Sequence, residues 1–304
     1  MPAVARIDPK TIFTPDEWKP LTKRSSWFGL ALVAHAWALI LAAGALFIAF
    51  PNPLTYLVAV MIIGARQLGL AILMHEAAHG TLHPSQAVND FLGDWLCAAP
   101  VGADLHRYRP YHLKHHRYTE QPEDPDRGLS APFPIPRKSL WRKIARDLTG
   151  QTFFKQRIAP LFAAGGGQRR VVVNEGAGRF WLVNLGLFAA CAAGGIWWAY
   201  FALWLIPMAT WFPLVTRLRN IAEHACVPGS DDPFRHARTT KANWLEGLLI
   251  APYWVNYHAE HHLFMHLPCW SLPKAHKLLA AKGRAEGMIL APSYLSVLRA
   301  AAPV

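Results

Sequence analysis

Four stretches of this chain are apolar for long enough to leave water. Trp27–Phe50 is the first, about twenty-four residues without Asp, Glu, Lys or Arg, and at ~1.5 Å per residue it spans a ~30 Å hydrocarbon core. Pro51-Asn52-Pro53 closes it with a turn signal. The second, Leu54–Met74, is broken only by Arg66 and Gln67. Two more come much later, Phe180–Phe201 and Leu203 to about Val215. This pattern predicts an all-α integral membrane protein with four transmembrane helices in two hairpins. Strand-like alternation is nowhere sustained, and Val171-Val172-Val173 is too short a β-branched run to count. A single domain follows: an N-terminal segment 1–26, a first hairpin 27–74, a polar insert 75–179, a second hairpin 180–216 and a final segment 217–304.

The polar parts carry helical signals of their own. Lys138–Thr149 alternates basic and apolar residues at helical spacing, as a helix lying along an interface would. Trp244–Val255 is a second candidate for a helix at the membrane surface, whereas the proline-rich stretch Glu123–Pro136 reads as loop. Composition agrees, with 53% hydrophobic and 16% charged residues, and with 13 Trp and 8 Tyr to populate the interfaces. A formal net charge of +12 would also suit nucleic acid, but no basic stripe interleaved with aromatics is present. Lys and Arg sort by segment instead: five precede the first span, fifteen lie in Gly80–Arg179 and ten follow Thr216. The connectors Pro51–Pro53 and Gly194–Ala202 have none. By the positive-inside rule, both termini and the insert are expected to be cytoplasmic, forming a cytoplasmic helical cap. Cys97, Cys191, Cys226 and Cys269 lack CxxC spacing and read as free thiols. Residues 1–26 are polar, basic and interrupted by prolines, unlike a secretory signal.

The chemistry is carried by histidine. Of fifteen, nine stand in short groups: His75 and His79 in HEAAH, His112, His115 and His116 in HLKHH, His224, and His258, His261 and His262 in HAEHH. Spacings of three and four place each group on one helical face. All four groups fall at or just beyond the cytoplasmic ends of the predicted spans, so nine imidazoles share one depth. A lone histidine is usually a surface or packing residue, but a repeated HxxHH demands a shared role, and imidazole is the commonest metal ligand. Nine exceed the needs of one tetrahedral zinc and suit two metals, though imidazole by itself does not choose among Zn, Cu, Fe and Ni. A metal-bound histidine usually passes its other N–H to a carboxylate. Glu76, Glu223 and Glu260 adjoin candidate ligands, and Asp94, Asp124 and Asp126 lie near them in sequence; these are the expected partners. His83, His106 and His266 border the groups, His236 and His276 are expected at the surface, and His35 and Arg66 lie inside spans, His35 as a helix-packing residue.

HEAAH, HLKHH and HAEHH, in that order, resemble the three histidine boxes of the membrane fatty acid desaturase superfamily, which includes acyl desaturases, hydroxylases and carotenoid ketolases. The segment Asn220–His224 resembles the Asn-x-x-x-His element of acyl desaturases, while Asn256–His262 and Leu272-Pro273-Lys274 resemble acyl-lipid and sphingolipid desaturases. The resemblance covers residues 25–280. It implies that the nine histidines hold two iron ions, with Asn220 beside one of them, and that O2 and external electrons are used to place a double bond in a fatty acyl or related lipid chain. No flavin fingerprint, CxxC cluster or haem domain is visible in the sequence. By the same resemblance the electron donor is a separate ferredoxin or cytochrome of the b5 type, and a basic cytoplasmic face would attract such an acidic carrier.

Three other readings compete. A hydroxylase or ketolase would use the same ligand set. HEAAH is also HExxH, the zincin motif, with Glu76 as general base of an intramembrane zinc protease, but that leaves seven clustered imidazoles without a role. A metal transporter would place its ligands near the bilayer midplane rather than at one edge.

Overall fold

A computed structural model describes residues 3–159, 175–228 and 232–303, so Val171-Val172-Val173 and part of the polar insert lie outside the described residues. After a short helix α1 (Pro15–Leu21), the chain forms α2 (Phe28–Ala49) and α3 (Pro53–Ala78). The insert begins with α4 (Gln86–Phe91), which runs on as a π-helix to Ala98, and continues with α5 (Leu105–Tyr118) and α6 (Arg127–Ser130). Next are α7 (Arg137–Leu148) and α8 (Gln151–Phe153), the latter extended by a π-turn to Ile158. Then come α9 (Glu175–Ala193) and α10 (Trp197–His224). Among the described residues α2, α3, α9 and α10 are the four helices long and apolar enough to cross a membrane. The final segment holds α11 (Trp244–Leu249), α12 (His258–Leu263), α13 (Leu272–Ala281) and α14 (Tyr294–Ala301).

Helix α3 is the centre of the bundle. In its most apolar stretch 72% of residues are buried, against 28% in α2 and 11% in α9, so α3 is wrapped by protein while its neighbours face outward. Leu41, Leu54, Leu57, Leu182 and Leu185 stand exposed on the outside, as lipid contact requires. Its start is fixed by Asn52, whose Oδ1 accepts from Leu54 N (3.0 Å) and Thr55 N (3.1 Å), followed by Pro53 at the first helical position. Its end comes four residues later than the apolar run, because Gly80 adopts φ +69° and closes a Schellman turn, Gly80 N to Ala77 O at 3.0 Å and Thr81 N to Glu76 O at 3.1 Å. Twenty-six residues at ~1.5 Å make roughly 39 Å, longer than a ~30 Å hydrocarbon core. The HEAAH turn therefore rides at the tip of the buried central helix.

Four sequence expectations need correcting. Glu123–Pro136, expected as loop, holds the one-turn helix α6, because its prolines lie outside Arg127–Ser130. The third apolar run, expected to reach Phe201, ends at Ala193 because Gly195 (φ +73°) closes a second Schellman turn, with Ile196 N bonded to Cys191 O at 2.9 Å. Trp244–Val255 is not one helix. It breaks after Leu249, since Pro252 cannot continue the hydrogen-bond ladder and Tyr253 and Trp254 take φ +56° and +57°. Finally, the cap is not wholly helical: β1 (Arg238–Thr240) pairs in parallel with β2 (Ile289–Ala291), Arg238 opposite Ile289. Three-residue strands are too short to leave a periodic signal.

Polar side chains in the spans act as ties between helices. Gln67 Nε2 donates to Trp204 O (2.9 Å), and Asn184 Oδ1 accepts from Tyr200 OH (3.1 Å) and Trp204 Nε1 (3.0 Å). His35 and Arg66 both meet Tyr253: its hydroxyl lies 3.2 Å from His35 Nδ1, and the Arg66 guanidinium stacks 5.5 Å from its ring while donating to Leu248 O at 2.5 Å. Close packing also reaches the HEAAH turn, where a Cβ on Gly93 would lie 2.2 Å from Ala77 Cβ. Gly93→Ala is therefore expected to cost about 1–3 kcal/mol through overpacking, read as a lowered melting temperature in detergent. An unchanged melt would mean that the two helices separate freely.

Candidate metal centre

Each histidine group is positioned by the helix that carries it. His75 and His79 lie one turn apart at the tip of α3. Helix α5, capped by Asp104 accepting from Arg107 N at 3.0 Å, presents His112, His115 and His116 to the interior, all buried. His224 is the last residue of α10, and α12 carries His258, His261 and His262. From these four elements the rings converge into two sets: His75, His79, His112, His116 and His261, and His115, His224, His258 and His262. Within each set one ring nitrogen per residue lies within 4.8 Å of all the others. In α5 and α12 the i, i+4 pair enters one set and the residue between them enters the other, so these two helices bridge both.

The contacts are unusual for unprotonated rings. His79 and His112 approach Nε2 to Nε2 at 3.0 Å, His112 and His116 at 2.9 Å, and His116 and His261 at 3.0 Å. In the second set His224 and His258 stand at 2.9 Å, His258 and His262 at 3.1 Å. Burial, and behind it the neighbouring rings, holds the proton affinities of His112, His116 and His262 well below the ordinary imidazole range. Burial does the same for His258 and His261, with His224 and His79 the next causes, and brings His79 down to about 3. In the tautomer that leaves Nε2 bare, which a carboxylate behind Nδ1 favours at His115 and His258, the lone pairs face the centre of each set, where a cation can accept them. The spacing fits: two ligands at right angles, each about 2.1 Å from one ion, stand about 3.0 Å apart. His75 Nε2, buried and without a hydrogen-bond partner among the described residues, points to the same requirement. The donor set therefore suits two metal ions.

Carboxylates back several of the rings. Asp124 Oδ1 lies 2.8 Å from His115 Nδ1, while Asp126, at 3.8 Å, is the outer of the two and accepts from Tyr111 OH at 2.5 Å. Glu223 Oε1 is 3.4 Å from His258 Nδ1 and is held by Arg219 Nε at 2.6 Å. Glu76 Oε1 is 3.4 Å from His75 Nδ1, and its Oε2 accepts from Thr81 Oγ1 (2.9 Å) and Cys269 N (2.8 Å), tying α3 to the loop after α12. Glu260 departs from expectation. It sits two residues from His258, on the far side of α12, and its oxygens go to His276 Nδ1 (2.5 Å) and Thr239 Oγ1. Asp94 likewise turns away, to Arg179 Nε at 2.7 Å. His276, expected at the surface, is half-buried, and the Glu260 carboxylate holds its proton affinity above the ordinary value. His236 is buried too, because β1 follows at once and carries the chain inward.

Sequence reasoning missed Glu120, whose carboxylate lies 3.7 Å from His224 Nδ1, and Thr119, whose Oγ1 is 3.4 Å from His262 Nδ1. Neither had a motif. Arg219 was legible in principle as an i, i+4 partner of Glu223. Asn220 lines a small cavity beside the second set, with His115, His224 and His258.

Two outcomes follow. The buried rings take up protons in the unfolded chain before the folded one, so their contribution is intact above the ordinary value of 6.5 and is lost as pH falls toward about 3 for His79. The metal-free protein should melt at progressively lower temperature below about pH 6.5, and a flat profile would contradict the buried, neutral rings. Asp124→Asn, which removes the charge behind His115, should weaken one of two metal equivalents by about 10–100-fold and spare the other, as read by metal titration.

Comparison with known proteins gives one family. Residues 51–290 match the family described as fatty acid desaturase. A dihydrorhizobitoxine desaturase of Bradyrhizobium elkanii is 30% identical over 238 residues, covering 73% of this chain and 67% of that protein. A beta-carotene ketolase of Paracoccus sp. (strain PC1) is 28% identical over 223 residues, 69% of this chain and 74% of that protein. A zeaxanthin 4-ketolase of Chlamydomonas reinhardtii is 26% identical over 237 residues, 74% of this chain but 43% of its own length. The matched region runs from the turn before α3 into β2 and so contains every histidine of both sets, and on this agreement the chain belongs to the fatty acid desaturase family.

Proposed function

We propose that the chain is a membrane di-iron oxidoreductase that uses O2 and externally supplied electrons to introduce a double bond into a fatty acyl or related lipid chain. The observation that carries this reading is the pair of buried imidazole sets converging at the end of the central helix. Two ions are preferred to one because a single tetrahedral ion would leave most of the nine rings idle, and iron is the metal that the family membership supports. When bound, the two irons supply the oxidising power that side chains lack. In the balanced reaction two hydrogens leave adjacent carbons, O2 accepts them together with two electrons from the donor and two protons from solvent, and two waters form.

The protein's own residues have defined tasks. His75, His79, His112, His116 and His261 hold one ion, and His115, His224, His258 and His262 the other. Glu76, Asp124 and Glu223 fix ring orientation from behind, Asp126 supports Asp124, and Glu260 braces α12 from its far face. Tyr108, stacked on His112 with ring centroids 5.1 Å apart, and Asn220 border the space beside the second set. The placement of Lys and Arg supports four crossings as two hairpins, with both termini, the insert and the cap cytoplasmic, in one domain with the bounds given above. A ferredoxin or cytochrome of the b5 type would reach the centre from that side.

The beta-carotene and zeaxanthin ketolases among the relatives favour one second reading, in which the same centre adds oxygen to a carotenoid-like lipid. Purified protein is expected to hold about two irons per chain, set by the two imidazole sets; one zinc and no iron would sink the proposal. Glu76→Gln should impair but not abolish turnover, whereas a zinc protease would lose its general base and all activity. Mass spectrometry of lipids from cells expressing wild type or His261→Ala should show a product two hydrogens lighter only with wild type. A product that gains one oxygen, as a hydroxyl or, with loss of two hydrogens, as a ketone, would select the second reading.

A further inference from the structure

Two cavities lie beside the second histidine set, and the tasks assigned above involve only the inner one. It measures about 30 Å3, room for roughly one water, and is walled by His112, His115, His224 and His258 among others. The outer cavity, about 220 Å3, lies between residues 152–157, at α8 and its π-turn, and residues 208–220 of α10. Leu129 and Asn220 belong to the walls of both, so the outer space adjoins the inner one there.

The outer walls are of two kinds. Phe153, Met208, Phe212 and Pro213 form an apolar lining. Most of the polar groups already have partners. Arg217 is paired with Asp147 at 2.5 and 2.9 Å, and Thr152 Oγ1 donates to the same carboxylate at 2.5 Å. Thr216 Oγ1 donates to Phe212 O at 2.7 Å, and Arg157 donates to the carbonyls of Val101 and Gly102. Among the described residues the Gln156 and Asn220 carboxamides, by contrast, make no hydrogen bond, although both line the cavity. An apolar wall with two free neutral amides, Gln156 at the outer end and Asn220 at the inner, suits a guest that is mostly hydrocarbon but carries an uncharged oxygen. Cavities for drug-sized ligands run to about 300–1,000 Å3, so this one seats a fragment and not a whole long chain.

Resting on the di-iron reading, we propose that the outer cavity holds the part of the substrate flanking the reacting carbon, with Gln156 bonded to a neutral oxygen function there, a hydroxyl, ether or carbonyl. The reacting carbon then lies within a few bonds of that oxygen, at the boundary formed by Leu129 and Asn220. The substrate class is a lipid functionalised close to its site of oxidation, as opposed to a chain oxidised at its unsubstituted middle.

The test uses the full-length protein in membranes supplied with a reduced ferredoxin, with products of the total lipid extract located by fragmentation mass spectrometry. The new double bond or oxygen is expected within a few bonds of an existing oxygen function. Gln156→Leu, at an exposed position where folding is not at stake, should raise KM about five- to tenfold, the loss of one hydrogen bond, with iron content unchanged. Lys155→Leu, beside it but outside the cavity wall, should change neither, and Leu129→Trp should stop turnover while iron is retained. A product oxidised at mid-chain, or Gln156→Leu kinetics equal to wild type, overturns the proposal while leaving the di-iron reading standing. Iron-loaded wild type that oxidises no lipid overturns both.

Discussion

Nine buried imidazoles whose Nε2 atoms crowd to 2.9–3.1 Å, donor sites gathered where a cation can accept several lone pairs at once, are the constraint on which the fold depends. Every larger feature of the fold serves that constraint. A protonated cluster would place many positive charges in a low-dielectric interior, which burial forbids. Asp124, Glu223 and Glu76 stand behind the Nδ1 atoms of His115, His258 and His75 and set the tautomer of those three rings.

The scaffold meets this need by bringing rigid tips together. α3 and α10 are long helices that reach past the apolar layer and end in candidate ligands, His79 just beyond one and His224 closing the other. Helices α5 and α12 lie across those tips, each giving histidines to both sets, so neither set forms without the other's support. Glu76 shows how tightly the parts are tied. One oxygen faces His75, while the other holds the backbone of Cys269, nearly two hundred residues away. A metal pair bound there would stabilise the meeting of all four elements, as ligands stabilise any fold they bind selectively.

The same architecture separates two environments. The outer surfaces of α2 and α9 remain apolar and exposed, fit for lipid, while ionisable groups gather at one end. Polar side chains within the spans tie helices together, as Asn184 does with Tyr200 and Trp204. Beside the second histidine set lies a small cavity, and a larger, more apolar one shares Leu129 and Asn220 with its wall.

Much of this was written in the sequence. Twenty-odd apolar residues in a row admit few structures besides a membrane helix, because backbone polar groups in lipid must be satisfied within the segment. Histidines spaced by three and four announce a shared helical face. Sequence could not say which ring joins which set, since His115 and His116 are neighbours in the chain yet serve different sets, a choice made by the rotation of α5 against α3 and α12. Nor could it sort the carboxylates. Glu260 has the same sequence proximity to a histidine as Glu223, but its position on α12 turns it toward His276 and Thr239. Glu120 and Thr119 reach the site only because the chain bends after α5, with Glu120 at φ +62°. Periodicity is a local property and was legible; the partner of each ring depends on contacts between distant segments, and those exist only once the helices are packed.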